Sequence, residues 1–167
     1  MSMKQANTLQ EILLAADPNA PAIQTSGKAD CNYAALINHV QKIGGAIRGQ
    51  GIAPGERVAI VLPNGPEMAT AFLAVAAACV AAPLNPNYKQ DEFAFYMEDL
   101  STKLLITDDP SNPAAAAANK LGIPVTFISV DPYAPAGVFS LELSCATPLD
   151  LAEMKADHES LVMHTSG

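Results

Sequence analysis

GERVAIVLPNGPEMATAFLAVAAACVAAPLNPN, Gly55 to Asn87, decides the fold. Val58 to Leu62 is a continuous apolar run of strand length, the pattern of a strand covered on both faces. Pro63-Asn64-Gly65-Pro66 breaks it. Pro66 suits the first position of a helix, where its missing N–H costs nothing, and Glu67 suits the positive end of the helix dipole. From Pro66 to about Val80 the chain is apolar nearly all round, which predicts a buried helix. Ala81 to Asn85 then forms a second short strand. Strand, helix and strand in that order build a parallel sheet with right-handed crossovers.

The same alternation extends in both directions. Upstream, Pro21 to Thr25 has the form of a short strand, Ser26-Gly27 turns the chain, and Asp30-Cys31-Asn32 returns as a second strand. The Asn32 side chain is placed to accept a free first-turn N–H of a helix running from Tyr33 to about Arg48. Leu36, Val40, Ile43 and Ile47 share one face of that helix, and Gly49 and Gly51 stop it. Downstream, Lys89 to Leu100 is amphipathic. Phe93, Tyr96, Met97 and Leu100 lie on one side; Asp91, Glu92, Glu98 and Asp99 face solvent. Lys103 to Thr107 is a strand, Asn112 to Leu121 an alanine-rich helix, and Pro124 to Val130 another strand. Residues 131–150, with Pro132, Pro135, Gly137 and Pro148, are irregular apart from a short strand at Phe139 to Leu143. Leu149 to Lys155 predicts a short helical turn, and Ser160 to His164 a final strand. The fold class is α/β, a layered parallel sheet with covering helices.

At 167 residues, half of them apolar, the chain has the size of one domain with a sizeable core. Seventeen acidic residues against nine basic ones give a net charge of -8, with no basic run to neutralise phosphates, which argues against nucleic acid. Cys31, Cys79 and Cys145 are an odd set without metal-ligand spacing, as expected for buried free thiols in a reducing compartment. The N-terminal MSMKQANTLQ lacks the basic-then-apolar form of a signal peptide. Met68 to Leu84 is 17 residues long and ends at Pro83 and Asn85, too marginal for a membrane span and suited to a buried helix running into a buried strand.

Several catalytic signatures are absent: there is no G-x-S-x-G elbow and no H-E-x-x-H pair. Gly44 to Gly51, GGAIRGQG, is glycine-rich but lies within and at the end of a helix. A dinucleotide fingerprint follows a strand and opens a helix, so packing and capping account for these glycines. Asn64 and Asn85 sit beside prolines at strand ends as turn and cap residues, Tyr88 and Tyr96 as packing residues. Asp108-Asp109 has the chemistry to bind a metal, but a solvated strand end is the preferred reading. Leu161 to Gly167, LVMHTSG, delivers Thr165, Ser166 and Gly167 after an apolar run, and hydroxyls with glycine after a strand can present donors to a phosphate.

Together, NYAAL (Asn32–Leu36), PGERVAIVLPN (Pro54–Asn64), PLNP (Pro83–Pro86), YMEDL (Tyr96–Leu100), KLLIT (Lys103–Thr107) and SLVMHTSG (Ser160–Gly167) resemble, in order and spacing, the adenylate-forming superfamily. That superfamily includes acyl-CoA synthetases, 4-coumarate–CoA ligase-like enzymes, luciferases and peptide-synthetase adenylation domains. The resemblance runs from about Asn32 to Gly167 and is weakest between Val130 and Lys155.

The resemblance implies that residues 1–167 are the N-terminal portion of an AMP-binding domain. It implies that they stop inside the ATP phosphate loop and include an irregular connection at 131–157. Thr165 and Ser166 would donate to the triphosphate, and Gly167 would allow close backbone approach. His164, just before the loop, resembles the small-dicarboxylate, oxalate–CoA ligase-like members. The implied reactants are a carboxylate, ATP with Mg2+, and coenzyme A. The remainder of the same chain is the implied partner, the chain on its own is expected to be inactive and to self-associate, and the implied location is cytoplasmic or peroxisomal. The other reading is a self-standing α/β module that binds a partner without ATP.

Overall fold

The computed structural model of the chain describes residues 6–143, 147–151 and 155–164. In chain order its elements are α1 (Leu9–Leu14), β1 (Pro21–Ile23), β2 (Cys31–Asn32), α2 (Tyr33–Gly49), β3 (Arg57–Val61), α3 (Pro66–Ala76), β4 (Val80–Pro83), α4 (Gln90–Asp99), β5 (Leu104–Thr107), α5 (Pro113–Leu121), β6 (Val125–Ser129) and β7 (Ser140–Leu141). β1 and β2 form a small antiparallel pair. The main sheet has the order β4-β3-β5-β6-β7, parallel except for β7.

The alternation of side chains along β3 and β5 explains why the sheet is covered on both faces. Val58, Ile60, Leu62, Leu104 and Ile106 point to one face and meet Ile43 and Ile47 of α2 and Ala71, Ala74 and Val75 of α3. Ala59, Val61 and Leu105 point to the other and meet Phe93 and Met97 of α4 and Ala114, Ala117 and Ala118 of α5. A smaller cluster under α1 joins Leu13 and Cys31 to Leu36 and Val40 of α2. The result is three layers, helix–sheet–helix, with β5 in the middle of the strand order.

Local chemistry sets the boundaries. Asn32 Oδ1 accepts from the Ala35 N–H at 2.9 Å, and Asn112 Oδ1 accepts from Ala114 at 2.9 Å, so both asparagines cap helices. Gly122 ends α5 at φ 70, a left-handed conformation suited to glycine. α3 is shorter than its apolar run implies. It ends at Ala76, turns through Ala77 to Cys79, and β4 begins at Val80, whose N–H donates to the Glu56 carbonyl. An alanine-rich stretch carries no stop signal, so pairing with β3 sets the boundary.

The segment from 131 onward has few regular elements, yet Ala136 and Phe139 are buried. The Thr70 hydroxyl of α3 donates to the Gly137 carbonyl at 2.5 Å, and the Ala136 N–H donates to the Ala29 carbonyl at 2.9 Å. Gly137 has φ 77, and a Cβ there would lie 2.6 Å from Thr70 Cγ2, so only glycine fits this crossing. Leu149 to Leu151 run without helical structure, in contrast to the expected helical turn; its remaining residues up to 154 lie outside the described residues. Leu149 instead donates its N–H to the Gly45 carbonyl of α2. α1 has no counterpart in the sequence reading. Its start is nonetheless signalled by Thr8 and Glu11, since Thr8 Oγ1 accepts from the Glu11 N–H at 3.2 Å.

Candidate functional site

In an open doubly wound sheet, ligands sit beyond the carboxyl ends of the strands, where successive connections leave toward opposite faces. Here the chain leaves β3 for α3 on one face and β5 for α5 on the other. The loops part at that point and leave an open cleft of about 430 Å³, lined among others by Pro63, Asn64, Gly65, Glu67 and Asp108. A second hollow of about 540 Å³ lies between α1, α2 and Leu149–Leu151, lined among others by Leu13, Ile37, Val40 and Leu151.

The segment leading to Thr165 reaches the same carboxyl end. Ser160 to Val162 runs parallel to β4, beyond it in the sheet. The Ala81 N–H donates to the Ser160 carbonyl and the Val162 N–H to the Ala81 carbonyl, both at 2.9 Å. The expected strand from Ser160 to His164 is thus reduced to a single bridge at Leu161. Exposure still alternates with period two: Leu161 and Met163 point outward, Val162 and His164 inward.

His164 packs on α4. Its ring lies 4.7 Å from the Tyr96 ring, and Nε2 is 3.2 Å from Asp99 Oδ2, an ion-pair contact when the imidazole is protonated. Tyr96 in turn stacks on Tyr88 at 4.9 Å with the planes 28° apart, and Tyr88 meets Phe93 edge-on. The hydrogen bond to the Tyr96 side chain pushes the Tyr88 hydroxyl above its ordinary range. Tyr88 and Tyr96 are packing residues, as expected, and His164 is where that aromatic stack meets the chain before Thr165. Asp99 is exposed, as its place on the polar side of the helix predicts, and its carboxylate also reaches His164. Thr165, Ser166 and Gly167 themselves lie outside the described residues.

Asn85 Oδ1 accepts from the Asn87 N–H at 3.0 Å, which makes it a turn residue. Asp109 Oδ1 accepts from the Ser111 N–H at 2.7 Å; hydrogen bonds from the Ser111 backbone and side chain hold its carboxyl below the usual range. His158 is exposed and accepts from the Lys155 N–H within its own turn. His39 is buried on α2, edge-on to Phe139 at 4.7 Å, and burial, with a smaller contribution from Lys42, lowers its pKa to about 4. Cys31 and Cys79 are buried free thiols, and burial pushes Cys79 up to about 12; Cys145 lies outside the described residues. Among the described residues no helix is long and apolar enough to cross a membrane.

Comparison with known proteins is consistent across sequence and structure. Residues 11–167 match the family described as AMP-binding enzyme. An oxalate–CoA ligase of Arabidopsis thaliana is 38% identical over 160 residues, which cover 90% of this chain and 30% of the ligase, so the chain spans under a third of that relative's length. Apo MatB from Rhodopseudomonas palustris superposes over 97% of this chain and 33% of its own with a TM-score of 0.76 at 24% identity, a likeness of fold. ATP-bound MatB from the same organism superposes over 74% of this chain and 25% of its own, with a TM-score of 0.65 at 27% identity. These likenesses do not favour a self-standing partner-binding module. With its layered parallel sheet, its motifs in family order and a family match over residues 11–167, the chain belongs to the AMP-binding enzyme family.

Proposed function

We propose that the chain is the N-terminal part of an ATP-dependent acyl-CoA synthetase whose substrate is a small carboxylate. The observation that carries this reading is the AMP-binding family match over residues 11–167. The oxalate–CoA ligase relative and the fold shared with ATP-bound MatB support it. In the reaction, a carboxylate oxygen attacks the ATP α-phosphorus. The bond from that phosphorus to the bridging oxygen breaks, and pyrophosphate leaves. The thiolate of coenzyme A then attacks the acyl carbon of the adenylate, the bond from that carbon to the phosphate oxygen breaks, and AMP leaves.

The contribution of these residues is positioning and hydrogen-bond donation to the phosphate oxygens. Thr165 and Ser166 donate hydroxyl and backbone hydrogens to the triphosphate, and Gly167 leaves room for its oxygens. The position of His164 at the carboxyl end of the sheet supports this role. Among the described residues no three His, Cys, Asp or Glu side chains cluster, so Mg2+ would be held largely by the ATP phosphates themselves.

The test is ATP–pyrophosphate exchange by the complete gene product. Exchange stimulated by oxalate or another small dicarboxylate, but not by long-chain fatty acids, is the expected result. An enzyme that exchanges only with fatty acids sinks the substrate class, and one that exchanges with no carboxylate sinks the reaction.

A further inference from the structure

We propose that Asn64 is a site of spontaneous covalent modification, where the side-chain amide is lost as ammonia and the β3–α3 loop becomes a mixture of aspartyl and isoaspartyl chain. This chemistry is intrinsic to the loop and independent of any acyl transfer.

The reaction needs a free asparagine amide, a free N–H on the next residue and room between them. The Gly65 nitrogen attacks Asn64 Cγ. A new N–C bond closes a succinimide ring, the Cγ–Nδ2 bond breaks, and ammonia leaves with the proton that Gly65 gives up. Water then opens the ring at either carbonyl, and a carboxylate replaces the amide. Asn64 is the only asparagine in the chain followed by glycine, which has no Cβ to shield its nitrogen. Both residues are exposed and lie in a bend outside helix and strand. The N-cap of α3 is Gly65, so Asn64 is not held as a cap. Among the described residues neither the Asn64 amide nor the Gly65 N–H has a hydrogen-bond partner.

The other asparagines lack this combination. Asn32, Asn85 and Asn112 accept hydrogen bonds through their side chains. Asn85 and Asn112 also precede prolines, which have no N–H to attack. The N–H groups that follow Asn19, Asn32 and Asn87 donate to backbone carbonyls. Asn38 and Asn119 lie inside α2 and α5, and Asn7 precedes the β-branched Thr8. The consequence falls on the cleft at the strand ends. Asn64 lines it with Glu67 and Asp108, so the change adds a third carboxylate to its lining and makes the chain one charge more negative than its -8. The isoaspartyl form also lengthens the backbone by one methylene directly before the cap of α3.

The test ages the complete gene product at pH 6 and pH 8 in heavy-oxygen water, digests it in ordinary water and maps the peptides by mass spectrometry. The expected result, among the peptides of residues 1–167, is a gain of about 3 Da confined to the one that holds Asn64. Conversion is faster at pH 8, because the attacking nitrogen must give up its proton. Change during digestion adds only about 1 Da and is thereby told apart. An isoaspartyl-specific methyltransferase should label the aged protein and not the fresh protein. Gly65→Ala is the control. The backbone there is extended, with φ 167, and a Cβ would meet only Glu67 Oε2 at 3.9 Å, so the variant keeps the fold, which thermal unfolding checks. It is expected to convert at least about tenfold more slowly than wild type. An unmodified Asn64 after ageing at pH 8 would overturn the inference. So would equal rates in wild type and Gly65→Ala, or faster conversion at another asparagine of residues 1–167.

Discussion

His39 illustrates how one side chain ties stability to pH. Its ring is buried against Phe139, and removal from water favours the neutral imidazole, with the pKa lowered from 6.5 to about 4. A depressed folded-state pKa means that the unfolded chain binds the proton first. The stabilisation is complete above pH 6.5 and is lost as pH falls from there toward 4. The full effect is roughly 3 kcal/mol. Urea unfolding of wild type and His39→Leu at pH 7 and pH 4 should show the wild type losing about that much more than the variant. Parallel losses would mean that other groups control the acid side. At the same scale, Thr70 and Gly137 show how a hydroxyl and a missing Cβ fasten an irregular segment to α3.

The glycines of α2 act together at the level of the element. Gly44 comes close to Ala74 of α3 and to Leu151. A Cβ on Gly45 would overlap the Leu149 carbonyl, and one on Gly49 would lie 2.5 Å from the Thr147 carbonyl. The helix thus keeps a flat track on which residues 147–151 lie. In an isolated helix, replacing glycine by alanine gains up to about 1 kcal/mol. Here Gly45→Ala is expected to cost about 1–2 kcal/mol, because overlap with a backbone carbonyl cannot be relieved by a rotamer change. Limited proteolysis should cut sooner between residues 147 and 151 in the variant. A variant more stable than wild type, with unchanged cleavage, would show that the segment does not need the track. GGAIRGQG is therefore a packing surface, as its place inside a helix implies.

For the whole molecule, the outer side of Ser160–Val162 pairs with no strand among the described residues. Leu161 and Met163 are 41% and 60% exposed beside it, and Phe95 of α4 is 61% exposed. An unpaired edge next to exposed apolar side chains is a template for another strand. The chain on its own is expected to self-associate, with a mass by size-exclusion chromatography and light scattering that rises with concentration. A constant monomer mass at high concentration would show that the edge is protected.

Local chemistry alone determined the layered α/β plan. Val58–Leu62 is apolar throughout because both faces of β3 are covered, and Asn32, Pro66 and Asn112 start helices through short-range hydrogen bonds and fixed backbone angles. Those signals act over a few residues, so they can be read without knowing the partner. The end of α3, the seat of residues 147–151 and the contact of His164 with Tyr96 and Asp99 were settled only by tertiary structure. Each depends on surfaces brought together across a large separation in sequence: Val80 on Glu56, Leu149 on Gly45, His164 on Asp99. Periodicity cannot carry such pairings, because it records which face of an element is apolar and not which distant residue will meet it.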